Sequence, residues 1–142
     1  MNGSKVCVDA SFTVKLAVRE AGSDQVAQQW AEWAHQRAEV LAPELLWYEV
    51  TSTLAKRRGR GHLTDSEGSD ALAALLSLDI TTVRSRDLHR RAYELAREFG
   101  HTVAYDASYV SVAEQAQCPL WTADGGIATA CRQIGVEAHL IS

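Results

Sequence analysis

Short apolar runs alternate with helical patterns along the whole chain, and no other feature restricts the possible folds as much. Val6-Cys7-Val8 has the pattern of a buried strand, and residues 11–18 follow it as a helical turn or two. Val26, Trp30, Trp33 and Ala34 form one apolar stripe on a helix that Ser23 is suited to cap. Val40-Leu41-Ala42 reads as a second strand, and Pro43 suits the first position of the next helix. That helix carries Leu45, Leu46, Glu49, Val50 and Leu54 and stops at Gly59-Arg60-Gly61. Thr64 and Glu67 have capping-box spacing ahead of a helix with Leu72, Leu75 and Leu76. Ile80 to Val83 makes a third strand, followed by a helix from about Arg86 to Phe99 that Gly100 closes.

The last third continues the alternation. Asp106 stands just before a helical pattern of Val110, Ala113 and Ala116. Pro119 to Thr122 is a strand that delivers Asp124 and the turn Gly125-Gly126. Residues 127–134 are helical, Gly135 ends them, and residues 136–141 form a final strand. Such alternation specifies an α/β fold with a mainly parallel sheet. With 142 residues and no repeat or linker, residues 1–142 are expected to form one domain.

Composition narrows the function classes. Charged residues make up 23% of the chain and hydrophobic ones 46%, as in an ordinary globular protein. No apolar run approaches the roughly 18 residues of a membrane helix. The segment Met1-Asn2-Gly3-Ser4-Lys5 lacks the apolar region of a secretion signal. Cys7, Cys118 and Cys131 are odd in number and show no CxxC spacing, so reduced thiols and a cytoplasmic setting are expected. The net charge of -4 opposes a polyanionic partner unless the basic residues are suitably placed.

Four acids carry the chemistry. Asp9 and Asp124 each lie just past the end of an expected strand, and ligands of open α/β sheets bind at that edge. Asp106 opens a helix, where a carboxylate can equally be a plain cap. Glu49 lies on the face that Leu45 and Leu46 make apolar, with Thr53 four residues on. Burial there is costly for a carboxylate unless it is paired, protonated or bound to a cation. Basic residues cluster elsewhere, at Lys56, Arg57, Arg58 and Arg60 and at Arg84, Arg86, Arg90 and Arg91. Converging carboxylates without counter-charges raise one another's pKa, and a divalent ion resolves the repulsion. Oxygen-only ligands favour Mg2+ or Mn2+, which suits in-line attack of an activated water on a phosphodiester. Taken singly, each acid reads more readily as a cap or a solvated group, Asp106 most of all and Glu49 least, but two strand-end aspartates together with an acid on a buried helix face are much harder to explain that way. Glu44 reads as a first-turn residue, Glu32, Glu67 and Glu114 as solvated or capping, and His62 and His101 as surface residues.

The chain resembles the PIN-domain ribonucleases, in particular the toxin subunit of VapBC toxin–antitoxin pairs. The carriers are Val8-Asp9-Ala10-Ser11, then residues 43–50 (PELLWYEV), Tyr105-Asp106-Ala107-Ser108-Tyr109, and Leu120-Trp121-Thr122-Ala123-Asp124. The resemblance implies a three-layer α/β/α sandwich and a Mg2+- or Mn2+-dependent endoribonuclease whose acidic quartet is Asp9, Glu49, Asp106 and Asp124. It assigns the ion mainly to Asp9 and Asp106, with Ser11 and Thr122 as supporting hydroxyls. It also implies a homodimer and an antitoxin partner that could dock a hydrophobic helix among the early helices. Two departures stand out: Thr53 replaces a frequent asparagine, and Gly125-Gly126 replaces bulkier or basic residues.

Lys56, Arg57, Arg58 and Arg60 follow the Glu49 helix and are the candidate RNA-phosphate contacts, or else a solvated helix end. Of Trp47 and Tyr48, one is expected to stay exposed, because a helix has one core-facing side. Competing readings are a receiver-like phosphorylatable module, a haloacid-dehalogenase type phosphatase, a dinucleotide-binding fold, and a PIN fold that binds RNA or protein without catalysis. The first lacks an acidic neighbour to Asp9, the second lacks an acid at Ser11, and in the third Gly59-x-Gly61 follows no strand.

Overall fold

The computed structural model describes residues 4–142; Met1 to Gly3, part of the segment read for a secretion signal, lie outside the described residues. Five strands, β1 (Lys5–Val8), β2 (Glu39–Pro43), β3 (Thr81–Val83), β4 (Leu120–Thr122) and β5 (Ala138–Leu140), form one sheet in the order β3-β2-β1-β4-β5. All four pairings are parallel. Seven helices occur among the described residues: α1 (Ala10–Val14), α2 (Ser23–Gln36), α3 (Leu45–Gly59), α4 (Asp65–Leu76), α5 (Arg86–Phe99), α6 (Tyr105–Ala116) and α7 (Gly125–Gln133).

The strand order explains the layers. From β1 the chain steps outward to β2 and β3, then returns past β1 to β4 and β5. Right-handed crossovers in opposite directions place the intervening helices on opposite faces. Helix contacts agree, with α1 against α3 and α3 against α4 in one group, α5 against α6 and α6 against α7 in the other. The direction reverses between β1 and β4, so their carboxyl ends flank a crevice.

The inner strands β1, β2 and β4 carry mostly buried apolar residues, as a parallel sheet covered on both faces requires, whereas the edge strands β3 and β5 are only partly buried. Val8, Leu120, Phe12, Leu46, Val50, Val110 and Tyr109 are all within 1% of complete burial and form the centre of the core. Trp33 packs against Phe12 and Trp121, with ring centroids 5.4 and 5.3 Å apart. This ties α2 to α1 and β4. Trp33 and Val26 are thus core, whereas Trp30 is half-buried and Ala34 is exposed.

Several local expectations are corrected. Pro43 is the last residue of β2, paired with Val83, and α3 starts two residues later behind Glu44. Proline lacks an N–H, so it fits a position where the ladder ends as well as one where a helix begins. Ser23 is the first residue inside α2, not its cap; Gly22 takes that place at φ 86°. The Ser23 hydroxyl instead accepts from the Glu20 N–H at 3.0 Å and donates to the Val18 carbonyl at 3.1 Å. Glu114 is not solvated but holds Arg91 through two bonds of 2.8 and 3.0 Å, tying α6 to α5. The capping box of Thr64 and Glu67 and the left-handed Gly100 behind α5 match their expectations. Trp47 is half-buried and donates to Thr82 Oγ1 at 3.2 Å, while Tyr48 is 72% exposed.

Candidate active site

Asp9 leaves β1 in an extended conformation and caps the short α1, its Oδ1 accepting from the Phe12 N–H at 2.9 Å. Asp124 does the same between β4 and α7, its Oδ1 accepting from the N–H groups of Gly126 (2.8 Å) and Ile127 (3.3 Å). Because β1 and β4 are neighbours, the two acids open on one crevice. Gly126 has a local reason to be glycine. A Cβ there would lie 3.1 Å from the Asp124 oxygen its N–H serves.

Asp106 is the second residue of α6; the cap position belongs to Ala104, which makes no side-chain cap bond. Its carboxylate therefore does not satisfy the helix end. Glu49 reaches the crevice from the second turn of α3 and accepts a 2.5 Å hydrogen bond from the Tyr109 hydroxyl. One cleft of about 410 Å³ is lined by Asp9, Ser11, Glu49, Thr53, Asp106, Tyr109 and Asp124, together with Lys15, Glu20 and Arg57.

Two hydroxyls fix Asp9. Ser11 Oγ donates to Oδ1 at 2.8 Å and accepts from the Ala123 N–H at 2.9 Å. Thr122 Oγ1 donates to Oδ2 and accepts from the Asp124 N–H at 2.9 Å. The β4 end is thereby stitched to the β1 end, and Asp9 is orientated from both sides.

Burial, and secondarily like charge, raises three of the carboxyls in this cleft. Asp9 is 1% exposed, and burial pushes its carboxyl up to about 6 against the hydrogen bonds of Thr122, Phe12 and Ser11, with the Asp124 charge adding to the rise. Burial also raises Glu49, assisted by Asp106 and opposed by the Tyr109 bond and Lys56. Asp106 is raised by burial and by Asp124, against a nearby His101. Burial and the Glu49 carboxylate together keep the Tyr109 phenol protonated far above its usual range. Such a cluster of perturbed carboxylates in a cleft is characteristic of functional sites.

The donor set suits a hard divalent ion, being all carboxylate oxygen with hydroxyls behind it. Among the described residues no group of three or more His, Cys, Asp or Glu side chains stands ready clustered around one point. The hydrogen bonds explain this: Asp9 and Asp124 are turned toward their own helix N-termini. A carboxylate has about four acceptor positions. Asp9 uses three and Asp124 two, so each retains capacity for a cation.

The basic residues divide. Arg57 lines the cleft and is bonded to Glu20 at 2.7 Å. Lys56, Arg58 and Arg60 are exposed, with Arg58 4.0 Å from Asp65. Arg84 pairs with Glu44 at 3.2 Å. His101 is half-buried beside Asp106, not a detached surface group. A larger hollow of about 510 Å³ lies among Pro43, Tyr48, Val83, Arg86, Leu88 and His89, but Glu44, the one acid lining it, is already paired.

Tyr109 and Lys15 were not singled out by sequence reasoning. Tyr109 lies three residues after Asp106, hence on the same helix face, and that spacing was the available signal. Removing its hydroxyl by Tyr109→Phe strips a half-buried carboxylate of its donor. Thermal unfolding should show a loss of about 2 kcal/mol, roughly 6 °C in Tm. An unchanged Tm would mean that the short Tyr109–Glu49 bond does not form in solution.

Comparison with known proteins places this architecture. The PIN-domain family model matches residues 6–133. Ribonuclease VapC3 of Pyrobaculum aerophilum is 35% identical over 126 residues, covering 87% of this chain and 92% of that protein. VapC20 of Mycobacterium tuberculosis, described as a sarcin-ricin loop cleaving toxin, superposes with a TM-score of 0.68 at 22% identity over 88% of this chain and 94% of its own. VapBC2 of Rickettsia felis, solved on a promoter DNA fragment, gives a TM-score of 0.72 at 12% identity, covering 97% and 99%.

Proposed function

The chain belongs to the PIN-domain family, and from that premise we propose that it is a Mg2+- or Mn2+-dependent endoribonuclease, the toxin of a toxin–antitoxin pair. The observation that carries this reading is the convergence of Asp9, Glu49, Asp106 and Asp124 on one cleft at the β1/β4 crevice. The ribonuclease names of relatives such as VapC3 and VapC12 agree with it. The family match does not favour the receiver-like alternative.

Asp9 and Asp106 would hold the ion, with Glu49 and Asp124 completing the site directly or through water. When bound, it would activate a water and offset the negative charge that builds on the phosphate oxygens. The protein's own contribution is rigidity. Ser11 and Thr122 hold Asp9 at the strand end, so its carboxylate need not be ordered when substrate arrives. Tyr109 orientates Glu49, and its hydrogen bond opposes the rise that burial and Asp106 impose on that carboxyl. Thr53 borders the same cleft and is available for a hydrogen bond to water or phosphate. Lys56, Arg58 and Arg60 at the end of α3 would supply diffuse attraction for the RNA backbone.

The antitoxin partner and a homodimer belong to this reading. Solved relatives include VapBC2 and a toxin–antitoxin complex from Klebsiella pneumoniae. Incubation of the purified protein with bulk cellular RNA and Mg2+ should yield discrete internal fragments. RNA that stays intact at high enzyme concentration in both Mg2+ and Mn2+ would refute the nuclease assignment.

A further inference from the structure

We propose that Lys15 and Arg57, held on Glu20, form a grip for an RNA phosphate neighbouring the scissile one, in the cleft of the acidic quartet. This rests on the nuclease reading of the same cleft. The Lys15 side chain is only 13% exposed and that of Arg57 28% exposed, yet both border the cleft of the four acids. Opposite charges so confined would be expected to collapse onto one another. They do not: Lys15 Nζ lies 3.2 Å from Glu20 Oε1 and Arg57 Nη1 lies 2.7 Å from Glu20 Oε2, and no ion pair joins either cation to Asp9, Glu49, Asp106 or Asp124 among the described residues.

Glu20 thus acts as a separator. It engages both cations with its two oxygens and leaves the quartet free for a cation. Its own place is set by the turn before α2, where the Glu20 N–H donates to Ser23 Oγ at 3.0 Å and the Ala21 carbonyl accepts from Lys15 Nζ at 2.7 Å. Gly22 completes that turn at φ 86°, and a Cβ there would lie 2.7 Å from Ile141 Cγ2. The cations are not used up by these bonds. Lys15 has three N–H donors and spends two, and the Arg57 guanidinium has five and spends one on Glu20. Free donors from an ammonium and a guanidinium that line the same cleft fit the non-bridging oxygens of a phosphate.

The test uses a fluorescein-labelled single-stranded RNA of mixed sequence, bound to full-length protein in EDTA and followed by anisotropy across a NaCl series. The Asp106→Asn protein serves as the non-cleaving background. Adding Lys15→Gln or Arg57→Gln should weaken binding about tenfold and reduce the slope of log K against log[NaCl] by about one each. Lys15→Arg should keep the parent slope. Thermal melts run alongside, because the cluster could be a staple of the fold alone. Variants that lower Tm but leave affinity and slope unchanged would overturn the grip. Cleavage by the otherwise wild-type chain in Mg2+ is measured in parallel. If that chain binds RNA without cutting it, the nuclease reading fails while the slopes still decide the grip. If it cuts and the Gln variants cut with unchanged KM, the grip fails and the nuclease stands.

Discussion

Asp9→Asn will abolish RNA cleavage and at the same time make the metal-free protein more stable at neutral pH. The two effects have one cause. Asp9 is fully buried at the end of β1, and burial holds its carboxyl at about 6 against an ordinary value of 3.8. Between those values the folded chain takes up a proton that the unfolded chain does not, so stability falls as pH rises through this range. The contribution of protonated Asp9 is fully present below about 3.8 and lost above about 6. That interval corresponds to about 3 kcal/mol. Asparagine is permanently neutral, so the variant should melt several degrees higher at pH 7 in EDTA and match the parent near pH 4. Its oxygen can still accept from Phe12, and its amide can face Thr122. Added Mn2+ should raise the parent's Tm and leave the variant's unchanged. A variant less stable than its parent at pH 7 would show that the hydrogen bonds outweigh the buried charge.

Asp106→Asn will cost about as much activity and almost no stability. A ligand to a catalytic ion contributes several kcal/mol to the transition state, so cleavage should fall roughly a thousandfold. Asp106 is half-buried, is not the cap of α6, and takes no part in the hydrogen bonds that stitch β1 to β4. Its removal relieves repulsion with Asp124 and with Glu49. The variant should therefore melt within about 1 kcal/mol of the parent. Chevron or thermal data showing a large loss would mean that Asp106 is a structural residue, and the site would need redrawing around Asp9 and Asp124. The contrast between the two variants separates the buried, scaffold-bound acid from the acid that the fold leaves free.

The sequence was most informative where local and global preferences agree. The helix expected from about Arg86 to Phe99 is found over those residues, closed by Gly100 as expected and capped at its start by Ser85. Asp9 and Asp124 were recognisable as strand-end acids because a short β-branched or apolar run precedes each. Pro43 and Ser23 were misplaced for a shared reason: each residue type serves two neighbouring roles, and only the tertiary contacts choose between them. In Pro43 the pairing with β3 decides, and in Ser23 the turn built by Gly22 does. The Tyr109–Glu49 bond spans 60 positions and the Arg57–Glu20 pair spans 37, so neither leaves a local pattern. Lys15 drew no reading from the sequence, because its carboxylate partner reaches it only through the turn at 20–22.

The central claim is tested most directly by controlled supply of the divalent ion. Purified protein, first treated with EDTA and then dialysed free of it, is mixed with RNA alone, with Mg2+, with Mn2+, or with Mg2+ and excess EDTA. Circular dichroism is recorded on each sample to establish that the chain stays folded. The acidic quartet predicts no cleavage without the ion, full cleavage on adding Mg2+ or Mn2+, and its loss again in EDTA, with the fold unchanged throughout. Cleavage that persists undiminished in excess EDTA, and that Asp9→Asn also retains, would contradict the account.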